Sequence, residues 1–149
     1  MTYKTHLTTG FLFSSILFLL IYKIELSPTL VIALILSTGL GSSTPDLDTP
    51  SGELWDKVPA GSIISRLVNP VFIGGHRHLS HSLIGFGAFA FLFWLLLKLI
   101  APNLPIIHNS EFIILVAFGL GYASHLFADM FTEAGVPILF PSDQNRSLV

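Results

Sequence analysis

The sequence predicts an all-α integral membrane protein, a four-helix bundle in the bilayer, and three observations lead there. The 149 residues are 52% hydrophobic and only 11% charged, where a soluble domain carries about 25% charged residues. Mean hydropathy is +0.75. The apolar residues gather into runs near the roughly 20 residues that span a bilayer, parted by stretches rich in proline and charge. The length fits a single domain, residues 1–149. A net charge of −2 offers no basic field, so membrane lipids and no nucleic acid are the expected partners. With no cysteine, disulfides and thiolate sites are excluded, and any metal must be held by histidine and carboxylate.

The first helix is expected over residues 4–22. Lys4 and the apolar run after it resemble a signal peptide, but Lys23-Ile24-Glu25-Leu26 stands where a small-residue cleavage site would follow, so a retained helix is expected. The second helix, 28–43, opens on Pro28, which suits a first turn, and Pro45 stops it. Residues 45–75 form the longest polar connection. Within it, residues 63–68 read as a short interfacial helix cut off by Asn69-Pro70. The third helix is expected over 79–100. Two prolines, Pro102 and Pro105, mark the turn to a fourth over 110–131, which Gly135-Val136-Pro137 ends.

A faint repeat runs through this order. Thr5-His6 precedes Gly10 as Ser80-His81 precedes Gly85, and Gly39-Leu40-Gly41 matches Gly119-Leu120-Gly121. Two repeated helical hairpins would explain it. The plainer explanation is that small residues recur wherever membrane helices touch.

With four spans, the start of the first helix, the end of the second, the start of the third and the end of the fourth lie on one side. They carry His6, then Asp46 and Asp48, then His76, His78 and His81, then His125 and Asp129. The opposite ends carry Lys23, Glu25, Lys98, His108 and Glu111. Lys4, Lys57, Arg66, Arg77 and Arg146 lie on the cluster's side, so that side is expected to face the cytoplasm.

Each motif alone has a bland reading. His125 and Asp129, at i and i+4, share a helical face and suit a divalent ion, or they cap a helix end. Asp46 and Asp48 repel in a tight loop and want a cation, or they are solvated. His6 has the option of a plain headgroup-level position. Arg77 is a fork matched to phosphate or carboxylate oxygens. Ser80 and Ser82 are candidate supporting donors or helix caps, and Glu133 a general base or a solvated charge. The strength is joint: ionisable residues at the edge of a membrane are costly unless they bind something, and these come from four separate segments. The expected metal ligands are His6, Asp46, Asp48, His81, His125 and Asp129, around one or two divalent ions of the Zn, Mn or Fe kind.

Four ordered motifs, Thr5-His6-x-x-x-Gly10, Pro45-Asp46-Leu47-Asp48-x-Pro50, His76-Arg77-x-x-Ser80-His81-Ser82 and Ser124-His125-x-x-x-Asp129-x-Phe131-Thr132-x-x-Gly135, resemble the YdjM family. These are small bacterial and archaeal inner-membrane proteins described as metal-dependent hydrolases. The resemblance implies a multi-pass protein of the inner membrane and carries over His6, Asp46, Asp48, His76, Arg77, His81, His125 and Asp129. Thr49 stands where the family often has histidine, and His78 and Ser80 where it usually has glycine and threonine. The function expected is hydrolysis of an ester or phosphoester, of a lipid or lipid-linked substrate, by a metal-activated water. Arg77 would hold the developing anion, and Asp48, His76 or Glu133 would shuttle protons. The alternative is a non-enzymatic protein that binds or transports metal ions or protons.

Overall fold

The computed structural model describes residues 2–21, 27–49, 53–68, 78–104 and 110–142. It is all-helical, with no β-strand among the described residues. In chain order the α-helices are α1 (Tyr3–Ile21), α2 (Pro28–Ser43), α3 (Glu53–Asp56), α4 (Gly61–Val68), α5 (Leu83–Ile100) and α6 (Glu111–Asp129). A 3-10 turn over Pro45–Asp48 follows α2, and another over Ala101–Asn103 follows α5.

The helix ends have local causes. Pro28 opens α2 behind Ser27, whose hydroxyl accepts from the Leu30 N–H at 3.2 Å. α5 begins four residues later than its apolar pattern suggests, because Ser82 caps it and accepts from the Gly85 N–H at 3.1 Å. The chain ahead of the cap folds back over Gly85. A Cβ there would lie 1.9 Å from the Leu79 carbonyl oxygen, so glycine is needed for the approach. α6 ends at Asp129 rather than 131, because Thr132 turns back on the Asp129 carbonyl, donating from its N–H at 3.0 Å and its hydroxyl at 2.7 Å. A short helix is present where one was expected over 63–68, and it begins at Gly61. It buries Ser65 and exposes Ile63, Ile64 and Leu67, the apolar face such a helix lays on a membrane.

α6 is the central element, packed against α1, α2 and α5. Ala117, Phe118 and Tyr122 on it are almost wholly buried. Both α5 and α6 are long and apolar enough to cross a membrane, while α2 is a shorter apolar helix. They differ in cover: 56% of α6 is buried and only 11% of α5. The rest of α5, with Phe91, Leu92, Leu96 and Leu99 exposed, is an apolar face too large for water but natural among acyl chains. At the far end Lys98 of α5 donates to Glu111 of α6, an ion pair that ties this hairpin together.

Glycine sets the crossing of α2 and α6. A Cβ on Gly41 would lie 2.0 Å from the Phe118 carbonyl oxygen, and one on Gly121 would lie 2.2 Å from that of Thr38. The contact is reciprocal, since the same interval separates Gly41 from Gly121 and Thr38 from Phe118. That is what a duplicated hairpin would leave at its centre. The outer helices are less alike, α1 packing on both α2 and α6 and α5 mainly on α6. Gly121→Leu is expected to force the backbones apart and destabilise the protein by about 1–3 kcal/mol or more. The check is the thermal unfolding midpoint in detergent. Gly87→Ala, into open space, should leave it unchanged, and equal midpoints for both would contradict the packing account.

Candidate metal centre

Four segments deliver the site. His6 comes from the first turns of α1 and Asp46 from the 3-10 turn after α2. His81 comes from the turn before α5, and His125 and Asp129 from the last turns of α6. His6, His81, His125 and Asp129 are each at most 2% exposed. Gly10 lets α1 close in, since a Cβ there would strike the Ser42 hydroxyl at 2.0 Å. His6 thereby stacks on His125 with ring centroids 3.7 Å apart.

The imidazoles are held so that Nε2 faces inward. The His125 Nδ1–H donates to the Ser42 carbonyl at 2.7 Å, which fixes the tautomer and leaves the Nε2 lone pair turned to the cluster. His125 Nε2 is buried without a hydrogen bond. It stands 3.6 Å from Asp46 Oδ1 and 3.7 Å from Asp129 Oδ2. Behind His81, Ser80 donates its hydroxyl proton to Asp48 Oδ2. With that proton committed, Ser80 Oγ, 3.0 Å from His81 Nδ1, accepts the Nδ1–H. His81 Nε2 then points to Asp129 Oδ2 at 3.4 Å and Asp46 Oδ1 at 4.0 Å. Tyr122 donates to the Ser80 carbonyl and pins the turn to α6. His6 Nε2 lies 3.5 Å from Asp129 Oδ1.

These separations are long for hydrogen bonds. They match the roughly 3–4 Å between ligands that each sit about 2.0–2.2 Å from a shared ion. Two groups have ligand atoms within 4.8 Å of one another, His6 with Asp46 and His125, and His81 with His125 and Asp129. A neutral imidazole with Nδ1 tied to a carbonyl has one lone pair to give. His125 can therefore serve one ion, not one in each group. Buried carboxylates demand a cation, and the mixture of imidazole and carboxylate suits Zn, Mn or Fe. Burial alone lowers the His81 pKa. Hydrogen bonding to Asp129 and Asp48, with their charges, outweighs it and raises the imidazole above its ordinary value. In the metal-free protein the His81 proton thus stands in for the cation.

Several expectations are placed differently. Asp48, expected as a ligand, is buried on the Nδ1 side of His81, its Oδ2 at 3.6 Å, and so supports the ring from behind. Glu133 is exposed on the turn after α6, outside both ligand groups. His78 is half-buried edge-on to Phe140. His76 and Arg77 lie outside the described residues. Two supporting groups escaped the sequence reading, the Ser42 carbonyl and Tyr122. A main-chain acceptor leaves no trace in residue identity. The signal for Tyr122 is a lone phenol one turn before His125 in an apolar helix. Ser80→Ala, which cuts the link from Asp48 to His81, is expected to weaken metal affinity about 10–100-fold. Competition with a chromogenic chelator measures it, and an unchanged affinity would mean that the His81 ring needs no support.

The profile of the YdjM inner membrane protein family matches residues 1–149. The chain belongs to that family. Inner membrane protein YdjM of Escherichia coli (strain K12) is 38% identical over 97 residues, covering 65% of this chain and 43% of the relative. The YdjM protein of Shigella flexneri matches to the same extent. The uncharacterized protein YvsG of Bacillus subtilis (strain 168) is 31% identical over 142 residues, 95% of this chain and 74% of its own length. The match thus spans less than half the length of the two YdjM proteins. No solved structure matches the chain. As a YdjM family protein, this chain is a membrane protein whose described residues gather His and Asp groups positioned to hold a metal ion.

Proposed function

We propose that this YdjM family protein is a metal-dependent hydrolase that cleaves an ester or phosphoester at the cytoplasmic rim of a four-helix membrane bundle. One observation carries the reading. His125 Nε2 is buried, has no hydrogen bond, and is aimed between two carboxylates. An uncharged lone pair kept in that position serves a cation. His81, His125 and Asp129 would hold a single ion, with His6 and Asp46 beside it. A divalent cation supplies charge that lowers the pKa of a water towards neutrality and polarises an ester or phosphoryl oxygen.

The chain's own residues do the rest. Asp46 is the member that meets solvent, its side chain 25% exposed, so water and substrate enter past it. Its Oδ1 is placed to take a proton from an entering water. Asp48, acting through Ser80, keeps the His81 proton on Nδ1 and Nε2 available. Arg77 and His76, a few residues ahead of Ser80 in the chain, are assigned the anion-holding and proton-carrying roles, and exposed Glu133 is the second candidate for proton exchange with solvent.

Transport is the weaker reading. A path for ions would continue through the bilayer as polar residues. Between the cluster and the Lys98–Glu111 pair, α5 and α6 carry none that ionise except Tyr122, and its hydroxyl is committed to Ser80. The test is turnover by purified protein of a generic phosphoester and a generic ester. Activity lost on chelation, restored by Zn or Mn, and absent in His125→Ala supports the proposal. Full metal loading with no turnover of either bond by wild type would leave the protein a binder.

A further inference from the structure

The groove between α1 and α2 plays no part in the metal centre, yet it leads to it. Two cavities of about 260 and 340 Å³ lie end to end there, sharing Phe11 and Ile35 as lining. The first runs out to Phe18 and Val31. The second runs back past Leu7 and Gly39 to Thr44 and Leu47, which lie two residues before and one residue after Asp46. From Val31 to Thr44 the helix rises about 20 Å, the depth of one leaflet's worth of acyl chain and more. On the floor Thr38 donates to the Ser14 hydroxyl at 3.1 Å, which ties these two polar side chains to each other. At the mouth stands a cation. The exposed Lys57 lies over the ring of Tyr3, Nζ 3.9 Å from its centre, and Tyr3 lines the groove.

An apolar channel of that length, open to the bilayer, with a lysine at its wet end and a solvent-reached carboxylate of the metal cluster beside it, matches one class of molecule. We propose that the α1–α2 groove seats the acyl chain of a phosphate-bearing lipid and presents its phosphoester to the metal centre between Lys57 and Asp46. This rests on the hydrolase reading for its chemistry but not for its binding. In the reaction the oxygen of water bonds to phosphorus, the bond from phosphorus to the leaving alcohol oxygen breaks, and the water's proton ends on that alcohol. Gly39 lines the second cavity. A Cβ there would make ordinary contacts with Phe11 at 3.6 Å and Leu7 at 3.8 Å, so a larger side chain fills the groove without displacing backbone.

The test uses the full chain in nanodiscs of phosphatidylcholine doped with a phosphatidylglycerol carrying a diazirine on its acyl chain. Saturable labelling on peptides of α1 and α2, competed by unlabelled phosphatidylglycerol, is expected. Gly39→Leu should lower it about tenfold, the loss expected when two buried methylenes are displaced. Lys57→Gln should abolish the preference for the anionic lipid while chain labelling persists. Metal content equal to wild type confirms that the variants fold, and Ile35→Trp replaces Gly39→Leu if that variant loses metal. Labelling that is non-saturable, is as strong on α5, survives both groove-filling variants, or is replaced by crosslinks between two copies of the chain would overturn the proposal. Groove labelling in a wild-type protein that binds no metal would sink the hydrolase reading alone. Metal-dependent turnover without groove labelling would sink the groove alone.

Discussion

His125→Ala is expected to lose its metal and to lower turnover by more than about 100-fold, beyond what the loss of a merely supporting partner costs. The expectation follows from the two places the ring holds. Its Nε2 is common to both groups of candidate ligands, so no rearrangement within the cluster replaces it. Its Nδ1–H is the link to the Ser42 carbonyl and hence to α2. Removing the ring also takes away the surface on which His6 stacks. His125→Asn separates the roles, because its side-chain NH2 stands where the Nδ1–H does and can still donate to the Ser42 carbonyl, while nothing reaches the Nε2 position. It should fold as wild type in detergent and still lose metal. Retention of stoichiometric metal by both variants would move the site away from α6.

The second large effect is on pH dependence, which should differ in sign with and without metal. In the metal-free protein the charged His81 imidazole is favoured by Asp129 and Asp48, so its folded pKa lies above the ordinary 6.5. A group raised on folding contributes stability that is fully present below the unfolded value and is lost as pH rises through the folded one. The chelated protein should therefore melt at a lower temperature as pH is raised from about 6 upward through that window. The metal-loaded protein should do the reverse, because binding requires neutral His81 and releases its proton. Its affinity, and the stabilisation that binding adds, should grow across the same window. Thermal melts at a series of pH values, with and without chelator, read both slopes. Parallel slopes would mean that His81 does not exchange its proton for a cation.

Much of this was legible in the sequence, for identifiable reasons. The long helices announce themselves through apolar runs, and the alternation of ends brings His6, Asp46, His81 and His125 to one rim without any knowledge of packing. The 63–68 segment could be seen because its apolar face recurs at helical spacing. Less legible was where each helix stops. Apolar pattern continues past Asp129 into Met130 and Phe131, and only the turn of Thr132 onto the Asp129 carbonyl ends the helix there. The division of labour between Asp46 and Asp48 was also hidden. Two residues apart in a 3-10 turn, they face different ways, Asp46 towards the Nε2 atoms and Asp48 towards Ser80. Glu133 shows the converse, since closeness to Asp129 in sequence does not bring it into the site once the chain has turned at Thr132.

Elemental analysis of purified wild-type protein against Asp129→Ala and His81→Ala bears most directly on whether these side chains form one cation site. About one Zn, Mn or Fe per chain is expected in wild type and its loss in both variants, with Glu133→Gln retaining it. Equal metal content in wild type, Asp129→Ala and His81→Ala, or none in any of them after reconstitution, would contradict that expectation.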